Sequence, residues 1–152
     1  MKPTKRLPRA HKAKRDLQIL ADAEPTDLAV EMLRTLRTSL YFNLTEASNK
    51  AVLISGPSPG VGKSFISVNL AITCAQAGQK VLLIDADMRR GYLHRYFHKR
   101  NMEGLSNYLA GQIKLDDAIF DSSIENVDVI TRGKTPPNPA ELLEHSRLGE
   151  LI

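Results

Sequence analysis

Gly56-Pro-Ser-Pro-Gly60-Val61-Gly62-Lys63-Ser64 follows the apolar run Val52-Leu-Ile54 and opens onto a helix-like segment. Strand, glycine-rich loop and helix in that order make a phosphate-binding P-loop. Glycines let several backbone N–H groups converge on an anion at φ values that a side chain forbids. Gly60, Val61, Gly62, Lys63, Ser64 and Phe65 are therefore the candidate nucleotide-binding residues. Lys63 suits the β and γ phosphates, the Ser64 hydroxyl suits Mg²⁺, and the following helix turns its positive end toward the anion. Counted strictly, the first glycine of G-x-x-x-x-G-K-[ST] falls on Pro57, because Gly56 stands one residue early and the loop is one residue longer.

A second motif narrows the chemistry. Val81-Leu-Leu-Ile84 reads as a continuous apolar strand and runs into Asp85-Ala-Asp87-Met-Arg89. With a strand at Val52 to Ser55 and a helix from Lys63 to about Ala77, closed by Gly78 in a left-handed cap, this predicts one βαβ unit. Such crossovers are right-handed and make the strands parallel, so Asp85 and Asp87 leave the sheet at the edge that holds the P-loop. There a carboxylate holds Mg²⁺ directly or through water, and another orients or deprotonates an attacking hydroxyl. Lys63, Asp85 and Asp87 are the candidate catalytic residues, and Ser64, Asp85 and Asp87 the candidate metal ligands.

A chain of 152 residues with 42% hydrophobic content suits one α/β domain with a sizeable core. Cys74 is the lone cysteine, which excludes an internal disulfide and fits a reducing cytoplasm. No apolar run approaches the roughly 18 residues of a membrane span, and the basic start lacks the apolar region of a secretory signal. Residues 1–25 carry Lys2, Lys5, Arg6, Arg9, Lys12, Lys14 and Arg15 with Pro3 and Pro8, and read as a disordered arm that supplies much of the net charge of +4. A solvated tail, a juxtamembrane segment drawn to anionic lipid and a nucleic-acid arm are the three readings of it; the absence of aromatics disfavours the last.

Past Pro25, Thr26 or Asp27 is placed to cap a helix running to about Thr45, its core stripe at Leu33, Leu36, Leu40 and Leu44. Glu31, Arg34 and Arg37 form a charged band beside that stripe, open to pairing internally or with another subunit. Residues 104–111 and 115–120 read as short helices leading to a third strand at Val127 to Thr131. His94 and His98 have helical spacing without an evident third metal ligand, and the turn at Pro136 to Pro139 is expected to shape a loop near the nucleotide. Tyr41, Tyr92, Tyr96 and Tyr108 read as half-buried aromatics.

These residues resemble the cytoplasmic catalytic domain of bacterial tyrosine kinases, which drive and regulate capsule and exopolysaccharide export. The resemblance covers roughly Pro25 to the end. It rests on Glu31-x-x-Arg34-x-x-Arg37-Thr-x-Leu, on Gly56 to Ser64 as the Walker A loop, on Asp85-x-Asp87-x-Arg89 as Walker A-prime, and on Gly133-Lys-Thr-Pro136-Pro137-Asn138-Pro139-Ala-Glu141-Leu-Leu143. It implies a P-loop NTPase fold with a mainly parallel sheet flanked by helices, and an ATP- and Mg²⁺-dependent protein-tyrosine autokinase. Lys63 and Ser64 would serve phosphates and metal, Asp85 and Asp87 metal coordination and tyrosine activation, and Glu31, Arg34 and Arg37 ring-like self-association. Implied partners are a polysaccharide chain-length regulator or export membrane protein and a phosphatase, with no nucleic acid, at the cytoplasmic face of the inner membrane. Residues 1–25 would be the juxtamembrane linker and 26–152 the N-terminal part of the kinase domain.

The family's Walker B strand and C-terminal tyrosine cluster are not found in the sequence, and Leu142, Leu143, Leu148 and Leu151 lack a following strand to pack upon. The expectation is a piece of a longer kinase that binds nucleotide poorly or phosphorylates inefficiently. Two alternatives stand beside it. One is a partition- or division-type ATPase, which usually carries a signature lysine where Ser58 and Pro59 stand here; the other is a catalytically inactive module that regulates polysaccharide export.

Overall fold

The computed structural model describes residues 27–152, so the basic arm assigned to residues 1–25, and Thr26 as a cap, lie outside the described residues. The first helix, α1 (Leu28–Thr45), is capped by Asp27, whose Oδ1 accepts the Ala29 N–H at 2.8 Å. That bond satisfies one of the donors every helix start leaves orphaned. Of the expected stripe, Leu33 is buried and Leu40 packs beside it, but Leu36 is 39% exposed. The stripe drifts because α1 meets the rest of the protein along a narrow seam against Leu70.

Helix α2 (Lys63–Gln76) ends as expected, with Gly78 at φ 82° and the Gln79 N–H reaching back to the Cys74 carbonyl at 3.3 Å. Residues 77–80 then turn the chain into β1 (Val81–Ile84). So short a connection makes α2 run back antiparallel along β1, which sets the start of α2 beside the end of β1. Val68, Ala71, Ile72 and Ala75 of α2 pack on Leu83, Val127 and Val129. Each fully buried valine, leucine or isoleucine side chain among them is worth about 1.5–3 kcal/mol of burial.

After β1 come α3 (Leu93–Tyr96), α4 (Leu105–Leu109) and α5 (Leu115–Ala118), followed by β2 (Ile119–Ile124) and β3 (Val127–Ile130). The sheet order is β1-β3-β2, with β3 parallel to β1 and antiparallel to β2. The sheet is therefore mixed rather than mainly parallel among the described residues. Period-two alternation splits its side chains: Val81, Leu83, Val127, Val129 and Phe120 face α2 and α3, while Ile84, Ile130 and Ile119 face α4 and α5. Two helical layers cover the two faces.

Two expectations need correction. Val52 to Ser55 forms no strand; Val52 and Leu53 are 45% and 87% exposed, and the segment pairs with none of the three described strands. Helix α5 stops at Ala118, and Ile119-Phe120 belongs to β2, where the branched and aromatic side chains pair across Ile130 and Val129. Among the described residues no strand follows Leu142, Leu143, Leu148 and Leu151, on α6 (Pro139–Leu143) and α7 (Ser146–Leu151), and they pack instead around Met88, Leu105, Tyr108 and Leu109.

Candidate functional site

The Gly-rich loop enters α2 through two left-handed glycines, Gly60 at φ 76° and Gly62 at φ 100°. A β-carbon at either would meet no atom within 4 Å, so the loop frames open space rather than packing inward. Its base is tight: a β-carbon on Gly56 would stand 2.8 Å from Val61 Cγ2. Lys63 Nζ folds over the loop onto the Ser58 carbonyl at 3.2 Å, and Ser64, half-buried, occupies the first turn of α2. Val61 is 51% exposed on the loop, whereas the Phe65 side chain packs against the Leu33–Leu70 cluster, which leaves its backbone N–H to face an anion.

At the end of β1, Asp85 is 5% exposed. Its Oδ1 accepts the Asp87 N–H at 3.3 Å and its Oδ2 the Leu93 N–H at 3.0 Å. Burial pushes its carboxyl up to about 6; the two N–H donors oppose the shift, the Asp87 charge adds to it and Arg132 counters it. Asp87 is exposed, and its Oδ1 accepts the Arg90 N–H at 2.9 Å. The Gly91 N–H reaches the Asp87 carbonyl at 2.6 Å and closes a tight turn at this edge.

Arg132, just beyond β3, escaped the sequence reading. Its Nε donates to the Gly91 carbonyl at 2.9 Å, its Nη1 to the Met88 carbonyl at 3.2 Å, and Nη1 also to Thr135 Oγ1. Because β3 is parallel to β1, Arg132 and the proline turn after it leave the sheet at the same edge as Asp85. In the sequence it is marked only by directly preceding the Gly133–Leu143 motif, while its role depends on the parallel pairing of β3 with β1.

The structure thus brings the start of α2, Asp85, Asp87 and Arg132 to one edge. Glu31, Arg34 and Arg37 lie apart on α1. Glu31 and Arg34 form an exposed pair at 2.6 Å, while Arg37 donates to the Thr73 carbonyl of α2 at 3.3 Å and so serves internal packing. His98 is exposed and left-handed, at φ 52°, and His94 is half-buried with Nδ1 lacking a partner. Burial, then Arg95 and Arg132, lower the His94 pKa. No cluster of three metal-type side chains is present among the described residues. Tyr96 and Tyr108 are buried and Tyr41 is 57% exposed, so Tyr92 alone of the four is half-buried as expected.

Residues 49–136 match the family described as AAA domain. The chain is 48% identical over 142 residues to the tyrosine-protein kinase etk of Escherichia coli K12, covering 93% of this chain and 19% of that protein. It is 47% identical over 135 residues to the tyrosine-protein kinase wzc of Salmonella typhimurium, covering 89% and 19%. Among solved structures, the kinase domain of E. coli tyrosine kinase ETK superposes with a TM-score of 0.82 at 46% identity, over 99% of this chain and 55% of that one. The BceF tyrosine kinase domain gives the same score and identity over 94% and 57%. The chain belongs to the AAA-domain family of P-loop proteins, in the group that contains the bacterial tyrosine kinases. It spans about a fifth of the length of the curated relatives it matches.

This family implies ATP and a divalent metal. The residues fit both. Two left-handed glycines leave open space at a helix start, and a hydroxyl with two carboxylates is a hard-oxygen donor set of the kind such cations prefer. No helix among the described residues is long and apolar enough to cross a membrane.

Proposed function

We propose that this chain supplies the nucleotide-gripping part of an ATP-dependent protein-tyrosine kinase regulating polysaccharide polymerisation and export. The observation that carries the reading is the left-handed glycine loop that opens α2, a helix packed on β1, with Asp85 and Asp87 directly after that strand. Backbone N–H groups from Gly60 to Phe65 would hold the phosphates, and Lys63 would swing from the Ser58 carbonyl onto the β and γ phosphates. Ser64, Asp85 and Asp87 would hold the cation, taken to be Mg²⁺, which when bound neutralises and orients the phosphates. Asp87, which is exposed, would accept the proton of an incoming tyrosine hydroxyl as the tyrosine oxygen bonds the γ phosphorus and the bond from that phosphorus to the β-phosphate oxygen breaks. Arg132 holds the Met88 and Gly91 carbonyls and so fixes the loop that carries Asp87.

On the same reading, Glu31, Arg34 and Arg37 contribute to a ring-like homo-oligomer, with a chain-length regulator or export protein and a phosphatase as partners at the cytoplasmic face of the inner membrane. Residues 1–25 then form the juxtamembrane linker and 26–152 the first part of the kinase domain. The test is transfer of labelled ATP phosphate to tyrosine by the complete kinase carrying this segment. Transfer abolished by Lys63→Met supports the reading, and transfer untouched by that change rejects it.

A further inference from the structure

Residues 88–100 carry Arg89, Arg90, Arg95, Lys99 and Arg100 and no acidic residue. All five bases are exposed, and the salt bridge found among the described residues, Glu31–Arg34, involves none of them. Their placement follows from the fold. Arg89 and Arg90 sit in the turn that the Gly91 N–H closes onto the Asp87 carbonyl. Arg95 lies on α3 and, with Arg132, bears electrostatically on His94. Lys99 reaches the Phe120 ring of β2, its Nζ 5.3 Å from the centroid.

Phe120 pairs with Val129, and Ile119 with Ile130, at the end of the sheet where Ile84 of β1 also pairs with Ile130. The bases therefore run as a band along one sheet edge, from the Asp87 turn to β2. Two strand spacings make that band about 10 Å long, the reach of about three extended residues. Like charges so placed repel one another unless an anion lies across them.

We propose that this band docks the acidic flank of a protein acceptor, with glutamate or aspartate about three residues from the target tyrosine. The inference rests on the kinase reading, because the band begins at the turn bearing Asp87, and a chain presenting a hydroxyl there must lie across it. Tyr92 and Tyr96 stack on each other with centroids 6.3 Å apart and are half-buried and buried, so the band offers no exposed ring for a nucleobase. An acidic peptide needs only spaced cations, which is what the band supplies.

The test uses the 152-residue chain and two fluorescein-labelled peptides, one with a single tyrosine between runs of glutamate and one with glutamine in their place. Fluorescence anisotropy at low salt should show tighter binding of the acidic peptide. Arg90→Ser with Arg95→Ser should weaken it roughly tenfold, while Lys80→Ser with Lys114→Ser, of equal charge change away from the band, should not. ATP affinity, measured in parallel with a fluorescent analogue, should be unchanged in both variants. Equal binding of the two peptides, no loss in the arginine variant, or arginine-dependent binding of phosphatidylserine vesicles without peptide binding would overturn the inference. A parent chain that fails to bind ATP contradicts the kinase reading; one that binds ATP yet treats the peptides alike contradicts this inference alone.

Discussion

A β-carbon on Gly91 would stand 2.2 Å from Asp85 Oδ1 and 2.5 Å from the Asp87 carbonyl oxygen. The loop from Asp85 to Leu93 is wound so tightly around the Asp85 carboxylate that backbone alone fits there. Gly91→Ala should therefore displace either the carboxylate or the turn carrying Asp87. The expected cost is roughly 1–3 kcal/mol, read as a lowered midpoint in urea, with nucleotide affinity falling too. An unchanged midpoint would mean the loop relaxes freely.

The buried Asp85 carboxyl makes stability depend on pH in a set direction. Its pKa rises from 3.8 to about 6 on folding. Below pH 4 the group is protonated in both states, so its contribution is fully present; as pH rises through 6 the fold must hold a buried charge and stability is lost. A shift of about two units corresponds to roughly 3 kcal/mol. Asp85→Asn should flatten the urea midpoint between pH 4 and 7, while the amide NH2 costs one of the two backbone hydrogen bonds at every pH. A parallel pH profile in the two proteins would contradict this account.

Arg37 and Glu31 should separate under substitution. Arg37→Ala removes a half-buried bond to the Thr73 carbonyl and should cost roughly 0.5–1.5 kcal/mol. Glu31→Ala removes an exposed partner of Arg34 and should cost under about 0.5 kcal/mol. If Glu31 serves assembly, its loss should instead lower the self-association of the complete kinase, measured by sedimentation. Equal destabilisation by both changes would place Glu31 in the internal packing.

Gly62 sits at φ 100°, where a side chain strains the entry to α2. Gly62→Ala should cost roughly 1–2 kcal/mol and weaken nucleotide binding. No neighbouring atom lies within 4 Å of the added methyl, so crowding contributes nothing and the whole effect reports backbone conformation. Wild-type affinity in this variant would remove the loop from the site.

How much the sequence disclosed depended on whether the signal was local. The Gly78 cap, the Asp27 cap and the apolar run of β1 are short-range patterns, and each appears where the residues placed it. Val52 to Ile54 carries equal strand character but has no ladder partner among the described residues, and partnership is a property of the fold rather than of the segment. Ile119-Phe120 failed for the opposite reason: a helical period continued past Ala118, while pairing with β3 decided the conformation. The position of Asp85 and Asp87 directly after β1 was legible from the apolar run before them. Arg132 was not, because its role arises from the parallel pairing of β3 with β1 across intervening residues.

The central claim is that the loop from Gly56 to Ser64 grips a nucleotide at the edge holding Asp85 and Asp87. Calorimetric titration of the 152-residue chain with ATP and Mg²⁺ tests it most directly. The account predicts weak but saturable binding that requires the cation and vanishes in Lys63→Met, with circular dichroism unchanged. Absence of binding in the parent chain, or equal binding by Lys63→Met, would contradict it.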